Sequence, residues 1–214
     1  MQKEISNIFI PKELTDIVDY LKKEKVQLSK QFDDGRINSS INEDEIIKSL
    51  QKKIDIIVPK SRAWYDFAVE TKTDFYPVNI KITDTTHADN LNCKLGIYYA
   101  LTGMLPDFPN EINWLSYFEK LKENLGTNKE KDYYFLIVNK SDDKDLFING
   151  LKGLYKLQPN GNNLPFQCRW DENREFINRN FKKAEKFILS VFGESIKLRA
   201  EIYFNFKKLF PNYV

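Results

Sequence analysis

The sequence predicts an α/β fold, a mixed central β-sheet flanked by helices on both sides. Three observations predict it. Apolar residues recur at helical spacing in the first fifty residues and again over about 172–210. Between them, "WYDFAVETKTDFYPVNIKIT" and "DYYFLIVNK" are aromatic and β-branched runs of strand length. Helical and strand patterns follow one another along one chain, an order that packs helices against a sheet.

The elements follow in chain order. Residues 11–30 read as a helix, because Leu14, Ile17, Val18, Leu21 and Leu28 share most of one face and Pro11 suits the first turn. "DDGRINSS" (33–40) reads as loop. A second helix over 41–54 carries Ile46, Ile47, Leu50 and Ile54 as its stripe. Its start has two readings: Asn42 as N-cap with Glu45 closing a capping box, or Ser40 with Glu43. Strands are expected at about 64–70 and 76–83, with "TKTD" as the turn. Helices over about 89–102, closed by Gly103, and 111–125 come next. The apolar run 132–140 is expected to be a central strand. Residues 145–170 read as further strands, with Asn160-Gly161 as a hairpin signal. The stretch from about 172 to 210 reads as helical.

Bulk properties narrow the function. The chain has 214 residues, 16 Phe, 11 Tyr and 3 Trp, enough to fill one core. No repeat or low-complexity linker divides it, so 1–214 is read as a single domain: a core at about 36–140, then strands and basic helices at about 145–214. The net charge of +2 leaves any nucleic-acid contact to local patches. Cys93 and Cys168 match neither a zinc spacing nor a disulfide framework, which fits a reducing cytoplasm. "MQKEISNIFIPKELTD" lacks the pattern of a secretory leader, and no apolar run approaches membrane-spanning length, so no membrane role is expected. Nucleophile-elbow, P-loop, Rossmann-glycine and H-E-x-x-H motifs are absent.

The chemistry concentrates between Asp66 and Lys81. Strand period is two, so Asn79 and Lys81 share one face while Val78, Ile80 and Ile82 take the other. On the preceding strand Asp66, Ala68 and Glu70 share a face. A hairpin between the two brings Asp66, Asn79 and Lys81 together. A half-buried carboxylate beside an ammonium is costly unless paired or metal-bound. It is either an Asp66–Lys81 ion pair or a divalent-metal phosphodiesterase site. In the second, Asp66 supplies a hard oxygen for Mg²⁺, the Ile80 carbonyl adds another, and Lys81 stabilises charge developing on phosphorus.

This stretch resembles the site of the PD-(D/E)xK nuclease superfamily, and the whole chain resembles a type II restriction endonuclease. The family pattern is an aspartate on one strand, then acid-x-lysine on the next. Asp66 and Lys81 match it; Tyr65 stands where the family has proline, and Asn79 where it has its second acid. An amide oxygen still ligates a cation, but without charge. The family also takes a glutamate from a preceding helix, for which Glu43, or else Glu45, is available at the edge of the apolar stripe. The resemblance implies a restriction-endonuclease-like core and Mg²⁺-dependent cleavage of double-stranded DNA at a short sequence, with Mn²⁺ able to substitute. It implies metal binding by Asp66, Glu43, Asn79 and the Ile80 carbonyl, and water activation by Lys81. A homodimer and a cognate DNA methyltransferase are the partners it implies. The competing readings are a DNA-binding protein that keeps the core without catalysis, and a nuclease for branched or damaged DNA.

Several polar residues are candidates for DNA contact. Thr85, Thr86, His87 and Asn90 follow the Lys81 strand and carry suitable donors. His87, the only histidine, has Asp84 and Asp89 near it but reads as a surface-loop residue. Asn160, Asn162 and Asn163 at the hairpin tip read either as turn residues or as base-edge readers. From Arg169 to Lys208 the chain carries ten Lys/Arg against six Asp/Glu. Arg174, Arg179, Lys182 and Lys183 there are candidate phosphate contacts, or a solvated helix face.

Overall fold

The computed structural model describes residues 9–24, 35–60, 63–109, 111–142 and 144–214, with backbone only for 35–40. Helical periodicity builds α1 (Lys12–Glu24), which buries Leu14, Ile17, Val18 and Leu21. The predicted extension to residue 30 lies outside the described residues. Helix α2 (Gly35–Gln51) begins well before the expected start, so 35–40 is helix rather than loop. Both capping boxes are thereby corrected: Ser40 and Asn42 lie inside α2, not at its end.

Strands β1 (Phe67–Glu70) and β2 (Phe75–Thr83) pair antiparallel, with Phe67 opposite Val78. β1 begins three residues later than expected, yet the Asp66 N–H still donates to the Val78 carbonyl at 2.9 Å. β4 (Tyr134–Asn139) runs parallel to β2, and β5 (Leu146–Gly150) runs antiparallel to β4. The sheet order β1-β2-β4-β5 is mixed, and Phe135, Leu136 and Ile137 are fully buried at its centre, as the apolar run predicts. The outer edge of β1 is covered at Ile57, which exchanges two backbone hydrogen bonds of 2.8 Å with Ala68.

Two apolar layers sandwich this sheet. Phe67, Val69, Val78, Ile80, Leu136 and Ile148 face α1 and α2. Phe135 and Ile137 face the other way, into a layer that includes α3 (Lys94–Thr102), α4 (Trp114–Asn124) and α5 (Phe181–Leu209). Three tyrosines in this second layer satisfy their hydroxyls on backbone: Tyr99 on the Phe75 carbonyl, Tyr117 on Lys94 and Tyr133 on Trp64, each at 2.7 Å. Gly103 closes α3 in the left-handed region at φ 71°, its N–H returning to the Tyr99 carbonyl.

A second, antiparallel sheet orders β3 (Ala88–Leu91), β7 (Phe166–Arg169) and β6 (Gln158–Pro159). The helix expected over 89–102 is corrected here. Its first residues form β3, and α3 begins at Lys94. Strand β3 exists because β7, far along the chain, offers it a partner in register, Leu91 opposite Phe166. The stretch 172–180 is likewise not helical. Helix α5 starts after Asn180, whose side chain accepts from the Lys183 N–H at 2.9 Å.

Candidate functional site

Register alone sets Asp66 opposite Asn79, one step before the Phe67–Val78 pair. The Asp66 carboxylate accepts two hydrogen bonds on one oxygen, from the Asn79 amide at 2.7 Å and the Ile80 N–H at 2.6 Å. Both N–H and C=O of a strand residue leave by the same edge, so the Ile80 carbonyl emerges on the side where Asp66 lies. The half-buried Asp66 carboxyl is held above its ordinary range by burial, against the opposing pull of the Ile80 hydrogen bond and the Lys81 charge.

Lys81 does not close an ion pair on Asp66. Its ammonium donates to the Asn90 carbonyl at 3.3 Å and acts on the carboxylates through space. Asn79 and Lys81 line a cavity of about 140 Å³ with Trp64, Leu91, Asn92 and Cys93. The Cys93 thiol is buried and pushed up to about 12 by that burial, which leaves it a packing group rather than a nucleophile.

Helix α2 delivers Glu43 to the same electrostatic field. Its carboxyl is pushed up to about 7, first by burial and then by the negative charge of Asp66, while Lys81 pulls it down. Ile46 and Leu50, three and seven residues on, bury against the sheet and fix the helix in this orientation. Of the two candidate glutamates, Glu43 is the one that feels Asp66 and Lys81; Glu45 lies half-buried two residues on.

The donor set suits a hard cation. Two partly buried carboxylates repel each other here, and a divalent ion would relieve both the repulsion and the desolvation. Mg²⁺ takes one or two carboxylates and keeps several waters. Asp66 and Glu43 could supply these, with the Ile80 carbonyl and the Asn79 amide oxygen available as neutral donors. Among the described residues no three His, Cys, Asp or Glu group as a metal cluster.

The remaining candidates divide. Asn90 and Asn160 come together, the Asn160 amide donating to the Asn90 side chain at 2.8 Å and to Gln167 at 3.1 Å. The hairpin tip therefore stands beside the carbonyl that holds Lys81. The Asn160 side-chain oxygen also accepts from the Asn162 and Asn163 N–H groups, so it builds the turn as well. Asn162 and Asn163 are exposed at the tip. Thr86 and His87 are exposed and both turn toward Asp84, at 2.8 and 3.3 Å. Asp89 instead accepts from the Trp170 indole, so it does not join His87.

Three of the expected DNA contacts are engaged within the fold. Thr85 is 3% exposed, its carbonyl capping the Trp170 and Asp171 N–H groups, so it presents no donor to a ligand. The Arg174 guanidinium is engaged by both oxygens of Asp145. Arg179 donates to the carbonyls of Lys152, Leu154 and Tyr155 and stacks on Phe187, so it braces a loop. Lys182 pairs with Glu185 at 2.9 Å, and Lys183 is exposed.

Comparison with known proteins finds no family model that matches the chain and no match among curated proteins. The residues that sequence reasoning passed over are Trp64 and Asn92, which wall the cavity next to Lys81. Trp64 stands two residues before Asp66, and that closeness in sequence was the signal available for it. Among the described residues, no helix is long and apolar enough to cross a membrane.

Proposed function

We propose that this chain is a Mg²⁺-dependent endonuclease for double-stranded DNA, with a restriction-endonuclease-like core and the behaviour of a type II restriction enzyme. One observation carries the reading: Asp66, immediately before β1, meets Ile80 and Lys81 of the antiparallel β2 while Glu43 reaches the same charge field from α2. Asp66 and Glu43 would hold Mg²⁺, with the Ile80 carbonyl as a further oxygen. The ion, when bound, supplies Lewis acidity at the scissile phosphate. Asn79 holds the Asp66 carboxylate in place through its amide. Lys81, fixed by the Asn90 carbonyl, orients the attacking water and offsets negative charge on phosphorus.

The test is incubation of purified protein with long duplex DNA and Mg²⁺, beside Asp66→Ala and Lys81→Ala. Discrete fragments from wild type are expected, with each substitution lowering the rate by about a thousandfold or more. Intact DNA in both Mg²⁺ and Mn²⁺ sinks the catalytic reading. A specific observation favours the second reading, a DNA-binding protein without catalysis: Asn79 spends its amide on Asp66, so a neutral group stands at the position of the second acid. Tight binding of duplex DNA with no cleavage in either metal supports that one.

A further inference from the structure

Helix α5 has two halves with different surroundings. Its first half lies against the body through Phe181, Ala184, Ile188, Phe192 and Ser195, all buried. From Lys197 onward every residue is exposed. The apolar stripe does not stop there. Leu198, Ile202, Phe206 and Leu209 continue the same three- and four-residue spacing, and Tyr203 and Phe210 widen it. These six side chains are between 40% and 72% exposed. The helix is about 43 Å long at 1.5 Å per residue, so its second half stands off the body as an arm. Among the described residues, the last hydrogen-bonded tie to the body is Arg199, which donates to the carbonyls of Gly161 and Asn162 at the hairpin tip.

We infer that this arm pairs with the same arm of a second copy, antiparallel and related by a two-fold axis near Phe204 and Asn205. Area supports it. Large apolar side chains carry roughly 150–250 Å² each. At the exposures seen here the stripe presents roughly 600 Å² per copy, which reaches the lower edge of stable interfaces, about 1,200 Å² in total. Charge supports the direction. Glu201 and Lys208 lie two turns apart on one flank of the stripe, and neither has an ion pair among the described residues. In an antiparallel pair centred between them, Glu201 falls opposite the partner's Lys208 on the matching flank. A two-fold interface needs such self-complementarity. Because Arg199 anchors the arm to the tip that also holds Asn160, the pairing brings the two copies together on the side of that hairpin.

The experiment is sedimentation equilibrium of the full chain, without DNA or metal, so it is independent of whether the protein cleaves. A dimer is expected for wild type. Ile202→Asp with Phe206→Asp should weaken it by about a hundredfold or more, with a single cooperative circular dichroism melt retained, since both side chains are outside the core. Glu201→Lys should weaken it about tenfold, and adding Lys208→Glu to that variant should restore it. A wild-type monomer at roughly 100 μM, or a dimer indifferent to the Ile202 and Phe206 changes, overturns the proposal. Failure of Lys208→Glu to rescue overturns the antiparallel arrangement.

Discussion

Asn79 is the residue on which the proposed chemistry turns. Its amide and the Ile80 N–H both spend themselves on one Asp66 oxygen. Asn79→Asp removes a donor and adds a like charge beside Asp66 and Glu43. Without divalent metal the variant should lose about 1–3 kcal/mol of stability, and with Mg²⁺ it should bind about tenfold more tightly. Thermal melts and calorimetric titration check the two halves, and an unchanged affinity would remove metal ligation from position 79. Glu43 makes a pH prediction. Its folded pKa of about 7 stands above the ordinary 4.5. The folded state therefore holds a proton that the unfolded state has lost, and stability falls as pH rises from about 4.5 to about 7. Glu43→Gln should abolish that fall, leaving the metal-free variant more stable than wild type near pH 8 by about 1 kcal/mol after discounting for solvent screening, and equal to it near pH 4. Denaturant melts across that range decide it. The shared face of Asn79 and Lys81 was legible because strand period is two. The engagement of Arg174 was not, because Asp145, which neutralises it, lies 29 residues away.

At the scale of elements, α3 supports the site from behind. Gly96 lies where an added Cβ would come within 2.6–2.8 Å of the Tyr133 ring. That ring stacks on Trp64, and its hydroxyl bonds the Trp64 carbonyl. Gly96→Ala should cost about 1–3 kcal/mol through overpacking, and it should also disturb the wall of the Lys81 cavity. Melting temperature together with Trp fluorescence checks this; a melt shift with no change in fluorescence would mean that α3, rather than the ring, yields. Elements with their own periodicity, such as α1, β2 and β4, were readable from local pattern. Those completed by distant partners were not. Strand β3 looks helical in sequence because it runs directly into α3, and only β7 makes it a strand. Helix α2 starts at Gly35 through residues of modest helix propensity, so no local pattern marks where it begins. Both misread boundaries flank the site, so its position was legible while its second wall was not.

At the scale of the whole molecule, several of the charges among the described residues stand in pairs. Arg169 pairs with Asp171, Arg174 with Asp145, Lys156 with Glu172 and Lys182 with Glu185. Of the ten cations between Arg169 and Lys208, Arg169, Arg174, Lys182 and Lys197 thus stand beside carboxylates. A protein that neutralises Z phosphates shows a slope of about −0.9Z in log affinity against log salt, so each cation that truly meets phosphate contributes about one to the slope. Arg174→Ala and Arg179→Ala should leave that slope for duplex DNA unchanged, because both guanidinium groups are committed within the fold. Their effect should fall on stability instead. It should be below about 1 kcal/mol for the exposed Arg174 pair and about 1–3 kcal/mol for Arg179, whose loss leaves carbonyls without their charged donor. Lys183→Ala, which removes an exposed ammonium, is the contrasting case and should reduce the slope by about one if the start of α5 meets the duplex. Binding isotherms at a series of salt concentrations measure all three. A slope that falls with Arg174→Ala would mean that the Asp145 pair opens to receive phosphate, and the duplex would then run along the β5 edge of the central sheet rather than across the hairpin tip beside Lys81.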